Sequence, residues 1–192
     1  MVIKDEISNL PQQIYKVYAQ AERLYSKHEV EAALDHMADG MRAKLANTNP
    51  IFLCVVVGGI IPMGNLLPRL DFPLEVDYIH VTRYKGGTQG GSLHWKAEPS
   101  HSLQNRTIVV VDDILDGGLT LAAIIEYCKA KGASGVYSAV LVNKLHARLP
   151  GGMERADFTG LEVDNRYVFG YGMDYKEYLR NAPGIFAVTT EI

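Results

Sequence analysis

The stretch Ile108–Leu121, IVVVDDILDGGLTL, decides the fold. Its first part predicts a strand over Thr107–Val111, because a short, wholly apolar run is typical of a strand covered on both faces. Two acids, Asp112 and Asp113, follow this run, and a helix is predicted to begin at about Leu119. Ligands of open α/β sheets bind beyond the carboxyl ends of the strands. The acids and the turn after them are therefore expected at the functional edge of a sheet.

The turn Asp116–Gly118 has the composition of an anion site. Successive backbone N–H groups at a glycine-containing turn and helix start can surround a phosphate, and Thr120 can add its hydroxyl. A side chain in place of either glycine would hold the phosphate away from the backbone. Acids beside a phosphate are unfavourable alone, but they suit a ligand that also carries hydroxyl groups and a bound Mg²⁺, which prefers oxygen partners. A metal-bound sugar phosphate with a free cis-diol meets these demands.

Strands and helices alternate around this stretch. Ser26 and Glu29 form a capping box that predicts a helix start, after which apolar residues recur at steps of three or four. The other predicted elements are strands at Ile51–Val57, Val76–Tyr84 and Val136–Val142, a helix at Leu119–Lys131 closed by Gly132, and short C-terminal pieces at Phe158–Leu161, Tyr167–Phe169, Tyr175–Arg180 (a helix) and Ile185–Val188. This order predicts an α/β fold with a central, mainly parallel sheet flanked by helices. The 192 residues are expected to form one domain, with a core of about 28–148 and an appendage from about 150–192.

Composition excludes several classes of protein. Hydrophobic residues make up 47% and charged residues 21% of the chain, as in an ordinary globular domain. The net charge of −3 gives no reason to expect nucleic acid or an anionic membrane as partner. No apolar run approaches the roughly 20 residues of a membrane span, and the N-terminus lacks the apolar core of a signal peptide. Cys54 and Cys128 are expected to be buried thiols in a reducing compartment, which predicts a cytoplasmic protein.

Other interpretations of the decisive stretch are weaker. A nucleotide triphosphatase loop needs GxxxxGK[ST], which does not occur, and the spacing of Gly58, Gly59 and Gly64 is not GxGxxG. A phosphoreceiver domain also carries paired acids, but there the pair ends the first strand. A purely structural alternative remains, in which Asp112 and Asp113 only cap a helix.

Three motifs, in this order, resemble the type I phosphoribosyltransferases and in particular their hypoxanthine-guanine branch. Ile108–Leu121 is similar to the family's phosphoribosyl pyrophosphate signature. Leu141–Arg148, LVNKLHAR, is similar to the strand end that supplies a purine-reading lysine, and Ala156–Arg180 to the purine-binding hood with its VxGYxxDYxEYxR pattern. The resemblance extends from about Ile51 to Val188. It implies the type I phosphoribosyltransferase fold, in which the hood also takes up part of the N-terminus, and Mg²⁺-dependent phosphoribosyl transfer to a 6-oxopurine.

The resemblance assigns roles around the sugar and its phosphates. Asp112 and Asp113 would hold the ribose hydroxyls directly or through Mg²⁺, and Asp174 would be a further metal ligand. Arg180 would reach the pyrophosphate, with Arg148 as a second candidate. The complete phosphoribosyl pyrophosphate site is expected to contain Gly58, Gly59, Tyr84, Asp112, Asp113, Asp116, Gly117, Gly118, Leu119, Thr120 and Arg180.

The purine site follows from the same resemblance. Asp116 would be the general base near nitrogen 7, since attack through nitrogen 9 requires the ring to lose a proton. Lys144 would donate to the 6-oxo group. An ammonium has only donors, so a 6-amino purine would leave both partners unpaired. Tyr167 would stack on the base, the Val168 carbonyl would accept from its N–H groups, and Asp174 would complete the site.

Four of these residues have a structural alternative. Lys144 could be a surface lysine and Tyr167 an ordinary core aromatic, while Asp174 and Arg180 could cap a helix.

The chain departs from the family pattern at two places. Val57 stands where a lysine is frequent, so its side chain cannot contact phosphate, and Arg83 stands where a serine often precedes the tyrosine found here as Tyr84. The glycine-rich segment Lys85–Ser92, KGGTQGGS, predicts a mobile loop. Closure of this loop, from Tyr84 to about Trp95, is expected to exclude water from the site.

Three other functions compete with this hypothesis: a xanthine-preferring enzyme, an adenine enzyme, and a non-catalytic regulator that binds phosphoribosyl pyrophosphate or nucleotide. Lys144 argues against adenine. A transcriptional regulator would show a DNA-binding module or a basic face, and neither is evident. By resemblance the chain is expected to form a homodimer or homotetramer.

Overall fold

The computed structural model describes residues 12–83 and 93–189 of the chain. Its helices are α1 (Gln12–Gln20), α2 (Lys27–Leu45), α3 (Ile60–Leu66) and α4 (Leu119–Ala130). Its strands are β1 (Glu22–Ser26), β2 (Ile51–Val55), β3 (Glu75–Arg83), β4 (Leu93–Ala97), β5 (Thr107–Leu115), β6 (Gly135–Lys144), β7 (Phe158–Val163), β8 (Val168–Phe169) and β9 (Gly184–Ala187). None of these helices is long and apolar enough to cross a membrane.

A six-stranded sheet with the order β4-β3-β2-β5-β6-β7 forms the centre of the described structure. Strands β3, β2, β5, β6 and β7 run parallel to one another, and β4 pairs antiparallel with β3 at the edge of the sheet. Every residue of β2 is buried, as its continuous apolar run predicts. The predicted α/β fold with a mainly parallel sheet is therefore confirmed.

Helices cover both faces of this sheet. Alternating residues of β5 point to opposite sides, so Val109 packs in the cluster of α2 and α3 while Val110 packs in the cluster of α4. Side chains such as Met41 on α2 and Ile124 on α4 are fully buried. Burying a side chain of this size stabilises the fold by roughly 1.5–3 kcal/mol, so these layers hold the carboxyl ends of the strands in place.

A second sheet, with the order β1-β9-β8, forms the hood from both ends of the described chain. Strand β1 pairs antiparallel with β9, and β9 pairs with β8. Helix α1 packs Ile14 and Val17 into a cluster with Phe169 and Tyr175. Neither α1 nor β1 was expected from the sequence, because both segments are short and mix polar with apolar residues.

Two predictions about the C-terminal third are wrong. Tyr175–Arg180 is not a helix but a tight turn closed by a bridge between Tyr175 and Tyr178. Lys176 and Glu177 have φ angles of 48° and 70°, which no right-handed helix contains. The segment that begins at Phe158 is also not part of the hood, because β7 extends the central sheet beside β6.

Two further differences concern the strands near the functional edge. Strand β5 continues to Leu115, so Asp112 and Asp113 lie within its last residues and not after them. Trp95, expected in the closing loop, lies in β4 and packs its ring 4.7 Å from that of Tyr127. Tyr84 and the predicted mobile loop at residues 85–92 lie outside the described residues.

A buried acid, Asp77, fixes the segment after β4 to β3. Its carboxylate accepts hydrogen bonds from the Tyr78 and His101 backbone N–H groups, the Ser100 hydroxyl and the His101 ring, all within 3.1 Å. Burial by itself raises the pKa of Asp77, but the hydrogen bonds outweigh it and lower the pKa to about 2. The folded state therefore favours the ionised form.

We expect Asp77→Asn to lower the free energy of unfolding by about 2 kcal/mol at pH 7, the linkage value of this shift. Because the folded pKa lies below the unfolded one, the contribution is present above about pH 4 and is lost as the pH falls toward 2. Urea unfolding from pH 7 to pH 3 measures it. The exposed Asp164→Asn variant is the control, and an equal loss in both variants would contradict the assignment.

Candidate active site

The end of β5 carries two neighbouring carboxyl groups. The Asp113 N–H donates to Asp112 Oδ1 at 2.9 Å, and the Asp113 side chain is buried. Burial raises the pKa of Asp112 well above its usual range, and the charge of Asp113 raises it further. Burial also raises the pKa of Asp113. Two acids held together at a sheet edge, with ionisation disfavoured, form a site that gains from a cation or from hydroxyl donors.

Two adjoining cavities open at this edge. The larger, about 350 Å³, is lined among others by Gly58, Asp112, Asp113, Asp116, Gly117, Gly118, Thr120 and Arg180. The smaller, about 230 Å³, is lined by Asp113, Ile114, Asp116, Lys144, Tyr167, Val168, Met173 and Asp174. Asp113, Ile114 and Asp116 line both, so one ligand can occupy the two cavities across these residues.

The turn after β2 approaches the acids so closely that a side chain on its first glycine would displace the Asp113 carboxyl group. A Cβ atom built on Gly58 would lie 2.2 Å from Asp113 Oδ2. Gly59 has another role, since its Cβ would lie 2.7 Å from the Val111 carbonyl oxygen and its N–H donates to Val55. Gly58 therefore belongs to the wall of the larger cavity, whereas Gly59 packs against the strands.

The turn before α4 depends on a glycine with left-handed backbone. Gly118 has a φ of 79° and caps α4, and a Cβ there would lie 2.6 Å from the Met153 backbone. The backbone of Asp116–Gly118 consequently borders the larger cavity without side chains at its two glycines. This arrangement suits a phosphate at a helix N-terminus, where N–H groups and the helix dipole attract anions.

Lys144, the last residue of β6, forms an ion pair across the sheet edge. Its Nζ lies 3.0 Å from Asp116 Oδ2, and its side chain is only 11% exposed, against 54% for Asp116. A lysine merely exposed at a strand end would not be held in this way. The ammonium instead projects into the smaller cavity beside Tyr167 and Val168.

The hood brings a second ion pair to the same edge. Arg180 donates to the Gly172 carbonyl oxygen at 2.7 Å, and its Nη2 lies 2.8 Å from Asp174 Oδ1. The other Asp174 oxygen accepts the Glu177 N–H at 2.8 Å. Arg180 lines the larger cavity and Asp174 the smaller. Neither Asp174 nor Arg180 caps a helix, so the alternative in which they serve only as helix caps is wrong.

The ring of Tyr167 and the neighbouring Val168 complete the lining of the smaller cavity. Tyr167 is 49% exposed and meets the Tyr175 ring edge-on at a centroid distance of 5.5 Å. Burial and then the nearby Asp174 charge raise the pKa of Tyr167, which keeps its hydroxyl protonated. Because about half of the residue is exposed, it is not an ordinary core aromatic, and its ring can offer a stacking surface.

The carboxylates of this site fit a Mg²⁺ ion that takes its remaining ligands from water and substrate. Within residues 12–83 and 93–189, no three carboxylate, histidine or cysteine side chains are grouped to hold a metal, so Asp112, Asp113 and Asp174 do not form one cluster. Mg²⁺, however, commonly uses one or two carboxylates and completes its shell with water and substrate phosphates. Asp112 and Asp113 provide such oxygens, whereas both oxygens of Asp174 already have a partner, Arg180 and the Glu177 N–H.

Most of the site residues predicted from the sequence thus converge at these cavities. Gly59 and Leu119 do not line them, although Leu119 directly follows the cavity wall at Gly118. Sequence reasoning missed Ile114, which lines both cavities, and Met173. The alternation of a strand could have found Ile114, because it places residues 112 and 114 on one face.

Comparison with known proteins agrees with this geometry. The phosphoribosyl transferase domain matches residues 20–176. A hypoxanthine-guanine phosphoribosyltransferase of Streptococcus pneumoniae is 32% identical over 88% of this chain and 93% of its own length. A hypoxanthine-guanine-xanthine phosphoribosyltransferase of Tritrichomonas foetus is 29% identical over 84% and 88%. A Staphylococcus aureus hypoxanthine phosphoribosyltransferase structure superposes with a TM-score of 0.83 over 94% and 96%, at 22% identity.

The chain belongs to the phosphoribosyltransferase family. The match to the S. pneumoniae sequence runs over most of both chains. Within the family, it falls in the hypoxanthine-guanine branch of purine salvage transferases, as the three sequence motifs predicted.

Proposed function

We propose that this chain transfers the 5-phosphoribosyl group of phosphoribosyl pyrophosphate to nitrogen 9 of hypoxanthine or guanine, giving IMP or GMP and pyrophosphate. One observation carries the proposal. The larger cavity, bordered by the turn Asp116–Gly118 (the phosphate turn), and the smaller cavity, which contains the mostly covered Lys144, meet at Asp113, Ile114 and Asp116. The first has the features of a sugar-phosphate site and the second those of a base site. Their shared wall is where the new bond between sugar and base would form.

The larger cavity is assigned to phosphoribosyl pyrophosphate. The 5-phosphate binds the backbone of Asp116–Thr120, and the ribose hydroxyls bind Asp112 and Asp113, which can accept hydrogen bonds. Arg180 faces the pyrophosphate, where its positive charge stabilises the leaving group. Backbone groups of the Gly58 turn complete that end, because Val57 has no polar side chain.

The smaller cavity is assigned to the purine. Lys144 donates to the 6-oxo group, Tyr167 stacks on the ring and the Val168 carbonyl accepts from ring or 2-amino N–H groups. Asp116 takes the purine proton as the bond to nitrogen 9 forms. Its present partner, Lys144 at 3.0 Å, keeps that carboxylate oriented toward the base cavity.

Mg²⁺ is the proposed cofactor, held by Asp112 and Asp113 together with substrate oxygens, with Asp174 as a further ligand. When bound, it neutralises charge on the departing pyrophosphate. Asp112 and Asp113 also stabilise the electron-poor ribose while the glycosidic bond to pyrophosphate breaks. The protein's own part is thus to orient sugar and base, to hold the leaving group and to accept one proton.

The test is a steady-state assay of the full chain with phosphoribosyl pyrophosphate, Mg²⁺ and each of hypoxanthine, guanine, xanthine and adenine. We expect nucleotide formation with hypoxanthine and guanine and very little with adenine, because Lys144 presents only donors to a 6-amino group. Omission of Mg²⁺ is the control for the cofactor. Xanthine as the best substrate would shift the proposal to a xanthine-preferring enzyme. A lack of turnover with every base would refute it.

We also propose a cellular compartment and an oligomeric state for the enzyme. Both cysteines are free and buried, which supports a reducing compartment such as the cytoplasm. Exposed apolar side chains on β3, in the turn after β2 and at the start of α3 support a homodimer or homotetramer; they are Val57, Ile60, Val76 and Tyr78. Light scattering of the purified chain measures the oligomeric state.

A further inference from the structure

The guanidinium group of Arg148 is bound to the strand ends that carry the site. All three of its nitrogen atoms donate to acceptors on neighbouring segments. The acceptors are the backbone carbonyl oxygens of Leu115 (2.9 Å), Asp116 (2.5 Å), Lys144 (3.0 Å) and Glu154 (3.2 Å) and the side-chain oxygen of Asn143. Arg148 is thereby committed to the framework, so the candidate pyrophosphate contact implied by the family resemblance is not supported.

The residues after Arg148 continue this contact along the phosphate turn. The Leu149 N–H donates to the Gly117 carbonyl oxygen at 3.0 Å, and the Met153 N–H donates to that of Gly118 at 3.1 Å. Together with Arg148, segment 148–153, here called the strap, binds the carbonyl oxygens of three successive turn residues, 116 to 118.

The strap determines where the amide hydrogens of the turn point. In a planar trans peptide, the C=O and the following N–H point in opposite directions. Because the carbonyls of 116 to 118 face the strap, the N–H groups of Gly117, Gly118 and Leu119 face away from it. Gly117 and Gly118 line the larger cavity, and none of the strap residues is among its lining. The amide hydrogens are thus held in the orientation that an anion needs.

Because Gly117 and Gly118 allow many backbone conformations, this turn can reorient easily when the hydrogen bonds from the strap are lost. A rotated peptide between Asp116 and Gly117 would turn a carbonyl oxygen toward the phosphate and repel it. The same guanidinium also holds the backbones of Asp116 and Lys144, whose side chains pair at 3.0 Å. Lysine cannot keep all of these contacts: Nη1 alone serves Leu115, Asp116 and Lys144, but Nε and Nη2, which bind Glu154 and Asn143, have no counterpart in a single ammonium.

We propose that Arg148 is a positioning residue, which orients the amides of the phosphate turn and sets the spacing of Asp116 and Lys144 from behind the site. This inference rests on the proposed function. Arg148 acts through the backbone and touches neither substrate.

The test compares Arg148→Ala and Arg148→Lys in the full chain. We expect Arg148→Ala to lower kcat/KM for phosphoribosyl pyrophosphate about 10- to 200-fold, the range for lost hydrogen bonds to a charged group. The KM for phosphoribosyl pyrophosphate should rise and kcat should fall. Free guanidinium ion at millimolar concentration should restore part of the activity of Arg148→Ala. Arg148→Lys keeps the charge but should stay within about threefold of Arg148→Ala.

Arg155→Ala, at an exposed arginine seven residues along the same segment, is the matched control and should behave as wild type. Wild-type kinetics in Arg148→Ala would overturn the inference, and so would full activity in Arg148→Lys, which would mean that charge alone suffices. If Arg148→Ala does not fold, the lysine variant decides by itself. Failure of the wild type to turn over any purine refutes the proposed function, whereas an active wild type with an unaffected Arg148→Ala refutes only the positioning role.

Discussion

Asp116→Asn should lower kcat for nucleotide formation by about 100- to 10,000-fold, the range for losing a general acid or base. The amide keeps the size of the carboxylate but cannot accept the purine proton. The side chain of Asp116 is 54% exposed and pairs with Lys144, so the fold should persist in the variant. The KM for phosphoribosyl pyrophosphate should stay within about threefold, because the phosphate binds the backbone of this turn.

Single-turnover kinetics must accompany the steady-state assay, since slow product release could conceal the chemical step. Asp164→Asn, at an exposed acid, is the matched control and should retain wild-type turnover. An unchanged single-turnover rate in Asp116→Asn would remove Asp116 from proton transfer. A rise in KM without a fall in kcat would indicate instead that Asp116 serves binding.

Lys144→Ala should lower kcat/KM for hypoxanthine and guanine together, by about 10- to 200-fold. Both bases present a 6-oxo acceptor and lose the same charge-assisted hydrogen bond, worth roughly 1.5–3 kcal/mol. Adenine should be almost unaffected or slightly improved, because the ammonium that repels its amino group is gone. Measurement of kcat/KM for the three bases in wild type and variant gives the result.

The change in selectivity among the three bases shows whether Lys144 recognises the purine or only holds Asp116 in place. An equal fall for all three bases would mean that Lys144 holds Asp116 in place and does not read the purine. Lys129→Ala, at a lysine whose side chain is 57% exposed, should change every base by no more than about 0.5 kcal/mol.

The centre of the fold was predictable because its strands are buried on both faces. The apolar runs of β2, β5 and β6 leave few alternatives to an interior parallel sheet, and the glycines of the phosphate turn mark its edge. The site residues were found because parallel strands deliver their carboxyl ends to one place. Asp113 near the end of β5 and Lys144 at the end of β6 line the same cavity although they come from different strands.

The hood was harder because its order comes from tertiary contacts. Strand β1 and helix α1 are too short, and too mixed in polarity, to be predicted from local sequence. Strand β1 is stabilised by pairing with β9, and helix α1 by packing on Phe169. The turn at residues 175–180 carries helix-forming residues, yet three of them have positive φ angles. Local helix propensity is overridden there by tertiary contacts, namely the bridge between Tyr175 and Tyr178 and the bonds of Arg180 to Gly172 and Asp174. The role of Arg148 was equally hidden, because nothing in its spacing indicates a backbone acceptor.

The pairing of β1 with β9 has a consequence for how the enzyme comes into being. Residue 22 pairs with residue 187, so the hood contains contacts between parts of the chain that leave the ribosome at very different times. Such long-range contacts form late, after the loop between them has been closed. The central sheet can assemble during synthesis, whereas β1 must wait without its partner until β9 has emerged. A nascent chain would therefore form the turn before α4 first, and the smaller cavity, which is lined partly by hood residues, would be complete only after β9 has emerged and paired.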